Sequence, residues 1–237
     1  MLEIRDIRTS EELTAVEGLQ REVWGFSDLD IVSGSILRVL LELGGVLIGA
    51  FDEANELIAF NSGFAGFRKG HAEVHSDMLA VREAYRDKGL GHKLKLVQRD
   101  RVLAMGMDRI TWTFDPLRSR NAYFNFRKLG VVCDEYRVNF YGESTSSFLH
   151  SIGTDRLWVT WFLNRTPGPR EIPIDTEIRT VRIPRDIDAL DAEAQWKVRE
   201  RTRAEFQQWI TEGFVVTDYD GNGTYTLTRG VLSDFAR

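Results

Sequence analysis

Residues 78–94 read Met78-Leu79-Ala80-Val81-Arg82-Glu83-Ala84-Tyr85-Arg86-Asp87-Lys88-Gly89-Leu90-Gly91-His92-Lys93-Leu94. An apolar run delivers the chain to a polar turn containing two glycines. Leu90, Leu94 and Val97 then recur at helical spacing, so the order is strand, loop, helix. The first backbone N–H groups of a helix have no partner inside it, and the helix dipole favours an anion at that end. Glycine lets such backbone approach a phosphate with no Cβ in the way. The stretch Arg86–Gly91 is therefore a candidate phosphate cradle. Two better-known loops fail here. The GxxxxGK[ST] pattern is absent, and in a GxGxxG pattern Leu94 stands where the third glycine belongs. The competing reading is a plain helix start with two incidental glycines.

Upstream of this stretch, Leu2 to Arg8 alternates as a strand, and Thr9 precedes Glu12 as in a capping box. A helix ending at Gly25, a second over Ile31 to Leu43 and a hairpin over Val46–Phe51 and Leu57–Phe67 follow. Ala72 to Val81 is the strand that enters the cradle. Beyond the helix, which spans Gly89 to Met105, come a strand over Asp108 to Phe114 and a short helix over Arg120 to Leu129. Strands over Val131–Tyr141 and Asp155–Leu163 complete an order βααβββαβαββ, a mixed α/β layer fold. After Asn164 the character changes. The string NRTPGPREIP holds three of the five prolines and reads as a linker or arm. A strand over Glu177–Ile183 and a long charged helix over Asp186–Glu212 follow. A hairpin around Asp220-Gly221-Asn222-Gly223 closes the chain. The expected organisation is one domain over 1–163 and an extension over 164–237. That extension would either form an appended subdomain or pack on a second subunit, as in a homodimer.

Composition excludes several classes. A net charge of −5 argues against a nucleic-acid binder. With Cys133 as the only cysteine, neither an internal disulfide nor a multi-cysteine metal site is available. The N-terminal stretch is charged and lacks the apolar segment of a secretory signal. The longest apolar run, Val39 to Phe51, is too short for a membrane span of about 20 residues. The expectation is a cytoplasmic protein with no membrane partner.

The string MLAVREAYRDKGLGHKL resembles the signature of the GNAT N-acyltransferase superfamily, in which a strand ending in an LAV-like run meets an R/Q-x-x-G-x-G/A loop and a helix. The later WTFDPLRSRNAYFNFRKLG looks like the second motif of that superfamily. In closer detail these strings resemble a family of predicted GNAT acyltransferases with a C-terminal extension. The resemblance covers about residues 2–163 and implies the GNAT fold, with acetyl-CoA or another acyl-CoA as co-substrate and no metal. It implies that backbone N–H groups from Lys88 through Gly89, Leu90, Gly91, His92 and Lys93 hold the coenzyme A diphosphate. Leu79 and Val81 would bind the pantetheine arm through main chain, at the splay between their strand and Asp108–Phe114. Arg86, Lys88 and Lys93 would neutralise phosphate charge, although a solvated face explains each equally well. Asn121 is a further cofactor candidate. The match there is loose, because the Asn of the family often falls nearer Ser119.

Acyl transfer to an amine needs a proton acceptor, a polarised thioester and a departing thiolate. Glu73, His75 and Asp77 alternate on the strand before the cradle, and period two would put all three on one face. Relatives place a Glu or His base at the positions of His75 and Asp77. His75, with a usual pKa of about 6.5, suits a proton relay. Asp77 would orient it or bind the ammonium. Many GNAT enzymes carry an acid Tyr where this chain has Phe126, so Tyr123 and Tyr141 become the substitutes. The side chains of His71 and His92 read as turn and surface residues, and Cys133 reads as core. The function implied is transfer of an acetyl or succinyl group from coenzyme A to a small-molecule amine or amino acid. Arg118 or Arg120 would meet a succinyl carboxylate. A non-catalytic acyl-CoA-binding sensor and a protein N-acetyltransferase are the alternatives.

Overall fold

A computed structural model describes residues 2–142, 153–173 and 175–236, and the chain divides into two compact units at 110/111. In the first unit Thr9 caps α1 (Ser10–Trp24). Its hydroxyl accepts from the Glu12 N–H, and the Glu12 carboxylate accepts from the Thr9 N–H at 3.0 Å. This reciprocal pairing satisfies two otherwise orphaned donors. Helix α2 (Gly34–Glu42) starts three residues later than its apolar pattern suggests, because Ser33 supplies the cap. Leu13, Val16 and Leu19 of α1 join Leu37 and Leu40 of α2 in one core with Ile7, Leu47, Phe51, Leu57, Phe60, Met78 and Ala80.

That core lies against an antiparallel sheet ordered β1 (Glu3–Asp6), β2 (Val46–Phe51), β3 (Leu57–Arg68), β4 (His71–Val81). Helix α3 (Leu90–Ala104) packs against β2, β3 and β4. Alternation along β4 shows which face it takes. Met78 and Ala80 enter the α1–α2 core, whereas Leu79 and Val81 lie beside Gly91 of α3. The sheet is thus covered by helices on both faces, and β4 hands the chain directly to the start of α3.

The second unit contains residues 111–114 of β5 (Arg109–Phe114), then α4 (Ser119–Tyr123) and a π-helical stretch over Phe124–Leu129. Its strands run in the order β5, β7 (Arg156–Phe162), β6 (Val132–Arg137), β9 (Phe214–Tyr219), β10 (Thr224–Arg229), β8 (Ile178–Arg182). Helix α5 (Ala192–Thr211) packs on β6, β8 and β9. Phe206 of α5 is fully buried, stacked on Tyr136 with ring centres 5.6 Å apart and edge-on to Tyr225 at 5.2 Å. Residues after 163 therefore share a core with β6 and β7 of their own chain. The strand expected to run to Tyr141 stops at Arg137, and the helix expected from Asp186 begins only at Ala192, behind the Asp191 cap. Among the described residues no helix is long and apolar enough to cross a membrane.

Candidate active site

The cradle forms in the first unit. After Val81 the chain makes a short 3-10 turn at Glu83–Tyr85, and Asp87 then adopts φ 63°. Gly89 caps α3 in the left-handed conformation at φ 75°, and no side chain caps the helix. A Cβ built on Gly89 would meet nothing within 4 Å, so the space above the helix start is open. Gly91 differs. Its Cβ would lie 3.6 Å from Leu79 Cδ2 and 3.9 Å from Val81 Cγ2, so this glycine faces the sheet. Only Gly89 meets both demands of an anion cradle, backbone that a side chain would strain and clear room above it.

Two of the cations expected to meet phosphate brace the loop itself. Arg86 Nε donates to the Val81 carbonyl at 3.0 Å, and Lys88 Nζ donates to the Ala84 carbonyl at 2.8 Å. Both remain on the exposed side of the turn. Lys93 and His92 lie on the first turn of α3.

On β4, Glu73 pairs with Gly66 and His75 with Phe64. The register then shifts. Gly63 faces Ser76 while Ser62 faces Met78, so Asp77 is the extra residue of a bulge. The bulge reverses the alternation. Before it the even-numbered Ser76 reaches α3, where it accepts from Lys95 Nζ at 2.7 Å; after it the odd-numbered Leu79 and Val81 take that side. Glu73 and His75 thus share a face as expected, but the uninterrupted period that would have added Asp77 does not exist. An extra residue between two ladder pairs re-aims its own side chain.

Burial, with the Lys95 and Arg68 charges adding to it, lowers the His75 pKa from 6.5 to about 4. The imidazole is therefore neutral at neutral pH and can accept a proton. Asp77 is solvent-accessible, yet the protein packed around it raises its carboxyl above the usual range.

Beneath His75 lies a group that sequence reasoning missed. Asn61, Ser76, Lys95 and Gln98 are all at most 5% exposed. Lys95 Nζ donates to Ser76 Oγ and to Gln98 Oε1 at 3.2 Å, and Asn61 Nδ2 donates to Ser76 Oγ at 3.2 Å. Desolvation lowers the Lys95 ammonium to about 7. The signal was present in the apolar stripe of α3, which Lys95 and Gln98 interrupt between Leu94 and Val102.

The remaining expected residues belong to the second unit. Asn121 is exposed, and Tyr123 is 41% exposed, its ring 3.0 Å from where a Cβ on Gly221 would fall. Phe126 is fully buried between Phe114 and Tyr225, with ring centres 6.3 and 5.7 Å away. Tyr141 hydrogen-bonds Thr113 through its hydroxyl at 3.3 Å. Ser119 hydrogen-bonds the Tyr219 hydroxyl, and Arg118 is committed to Asp188. Cys133 is buried, its thiol donating to the Glu135 carbonyl at 3.2 Å.

No family model and no curated protein matches the chain. Solved structures do. An aminoglycoside 6'-acetyltransferase type Ii aligns with a TM-score of 0.54 at 19% identity, over 69% of this chain and 99% of its own. A NatC complex bound to Gag peptide and CoA aligns with a TM-score of 0.53 at 16% identity, over 68% and 98%. The ribosomal-protein-S18-alanine N-acetyltransferase from Escherichia coli aligns with a TM-score of 0.51 at 15% identity, over 73% and 100%. The chain has the GNAT fold. The strand, open cradle and helix of β4–α3 are the parts of that fold that carry the candidate chemistry.

Proposed function

We propose that this chain is an acyl-CoA-dependent N-acyltransferase that moves an acetyl or succinyl group from coenzyme A to the amine of a small molecule or amino acid. The observation that carries the reading is the uncapped start of α3 at Gly89, open above and fed directly by β4. In this reading residues 1–163 carry the reaction, with coenzyme A on the backbone of Lys88–Lys93 and on Leu79 and Val81. Residues 164–237 are the extension, and Asn121 contributes to cofactor binding.

His75 is the proposed proton acceptor. A base with a pKa near 4 is too weak to strip a free ammonium. It suits a later proton. The neutral amine attacks the thioester carbon and forms a C–N bond. The nitrogen of the resulting adduct is cationic and far more acidic, and it gives its proton to the His75 ring. The C–S bond then breaks and the thiolate leaves. Asp77, at the bulge, would hold the incoming ammonium, which releases its first proton to solvent before the neutral amine attacks.

The test is a screen of amines and amino acids against acetyl-CoA and succinyl-CoA, read by thiol release. His75→Ala should lower kcat by about 10²–10⁴-fold while coenzyme A affinity holds. Coenzyme A binding without turnover on any acceptor would instead favour the sensor reading. A protein amine is the second acceptor class, favoured by two of the aligned structures, a complex with a Gag peptide and an enzyme named for a ribosomal-protein alanine.

A further inference from the structure

In the second unit, the proline arm after β7 folds back on the chain. Arg170 Nε donates to the Gly130 carbonyl at 3.2 Å, and Nη1 donates to the Phe235 carbonyl at 2.8 Å. Gly130 sits in the left-handed conformation at φ 74°, and a Cβ there would collide with the Gly168 carbonyl. The arm is thus seated on the end of the π-helical stretch. Between it, the buried hydroxyls of Thr217 and Thr228, and the C-terminal Phe235 lies a cavity of about 650 Å³. That is within the roughly 300–1,000 Å³ typical of small-molecule sites.

The cavity contains cationic groups with unused hydrogen-bonding capacity. Arg170 Nη2 is buried and donates to nothing among the described residues. Arg165, also on the wall, makes no ion pair or hydrogen bond among them. Burial and the neighbouring Arg165 charge together pull Arg170 down to about 10. The other charges on the wall are already engaged or exposed. Arg229 is held by Glu177 and by the Glu212 carbonyl, Asp234 accepts from the Val231 N–H, and Glu171 stands in solvent. Two guanidiniums brought together with an idle buried N–H call for an anion, since each forks two donors toward a carboxylate or phosphate. Pro167, Pro169 and Phe235 add an apolar wall.

We propose that this cavity binds a small organic anion, a carboxylate or phosphate ester with an apolar body, whose charged head meets Arg165 and Arg170. This proposal is independent of the acyltransferase reading.

The experiment is calorimetric titration of the full chain with benzoate and with phenyl phosphate, using inorganic phosphate as the head without a body. At least one aromatic anion should saturate with a Kd below about 1 mM, more tightly than inorganic phosphate. The tighter of the two names the head group. Arg165→Gln and Arg170→Gln should each weaken binding by about tenfold or more, with coenzyme A affinity unchanged. Arg170 anchors the arm, so its variant could misfold. Arg165 makes no ion pair or hydrogen bond among the described residues, and its variant alone decides the matter. Absence of saturable binding by either aromatic anion, or binding unchanged in Arg165→Gln, overturns the proposal.

Discussion

Arg199 of α5 donates two parallel hydrogen bonds to Asp115, from Nη1 to Oδ1 at 2.7 Å and from Nη2 to Oδ2 at 2.8 Å, with its side chain fully out of solvent. Asp115 follows β5 directly, so the extension is tied by a buried ion pair to the segment preceding α4. A second tie lies nearby, where Arg203 grips Asp155 at 2.8 and 3.1 Å and Tyr136 donates to the same carboxylate at 2.7 Å.

Removing one partner of a buried pair leaves the other charged and desolvated. Arg199→Met should therefore destabilise the protein by about 3–5 kcal/mol, read as a lower urea midpoint. An exposed pair provides the contrast. Lys197→Met, which breaks only the surface contact with Glu193, should cost less than about 1 kcal/mol. A chain cut after Leu163 would lose the Arg199 and Arg203 ties together with Phe206, and so should fail to fold its second unit.

Lys95 makes stability depend on pH in a defined direction. Its folded pKa is about 7 against an ordinary 10.5. Between those values the unfolded chain binds a proton that the folded chain lacks, so stability rises with pH across that window. The full rise is on the order of a few kcal/mol. His75 adds an acid-side rise between about 4 and 6.5, for the same reason. Denaturation midpoints measured from pH 6.5 to 10 should climb in the native protein and flatten in Lys95→Met. An unchanged slope in that variant would assign the rise to other groups.

The two glycines of the cradle should respond differently. Gly89→Val forces a branched residue to φ 75° and projects it into the open space above α3, so coenzyme A affinity should fall by more than tenfold. Gly91→Ala places its methyl in ordinary contact with Leu79 and Val81 and should leave affinity within about threefold. Equilibrium titration of both variants with coenzyme A makes the comparison. Equal losses would show that Gly91, too, borders the phosphates.

Much of this was readable beforehand where local chemistry decides structure. Thr9 and Glu12 announced the capping box, and the apolar runs announced β2 to β4, because caps and period two act within a few residues. What stayed hidden depends on partners distant in sequence. The bulge at Asp77 is a register shift against Ser62 and Gly63, which no pattern within β4 encodes. The π-helical stretch at Phe124–Leu129 has the spacing of an ordinary helix. Asp186, Asp188 and Asp191 are all chemically able to cap α5. Packing selects Asp191, since Ile187 is buried ahead of the helix. The stripe of α3 places Lys95 and Gln98 on its buried face, but their polar partners Asn61 and Ser76 stand on two other elements that no pattern within α3 encodes.

In the proposed reaction, Phe126 bears on how the thiolate would leave. Many GNAT enzymes carry an acid Tyr at this position, and here the ring is sealed between Phe114 and Tyr225. The one hydroxyl in that cluster, on Tyr225, is already spent on the Pro116 carbonyl at 2.7 Å. A hydroxyl added by Phe126→Tyr would enter an aromatic site with no ready acceptor, costing about 1–3 kcal/mol of stability. It should give no gain in kcat. Tyr123 and Tyr141 are 41% and 51% exposed, so a substrate could reach either ring, and Lys128 Nζ stands 5.6 Å from the Tyr123 ring centre. If Tyr123 donates the proton, Tyr123→Phe should lower kcat by about 10²-fold with coenzyme A affinity retained. Tyr141→Phe is the matched control, because its hydroxyl is engaged with Thr113. Full rates in both variants would mean that the thiolate departs without a side-chain acid and takes its proton from water or from the attacking nitrogen.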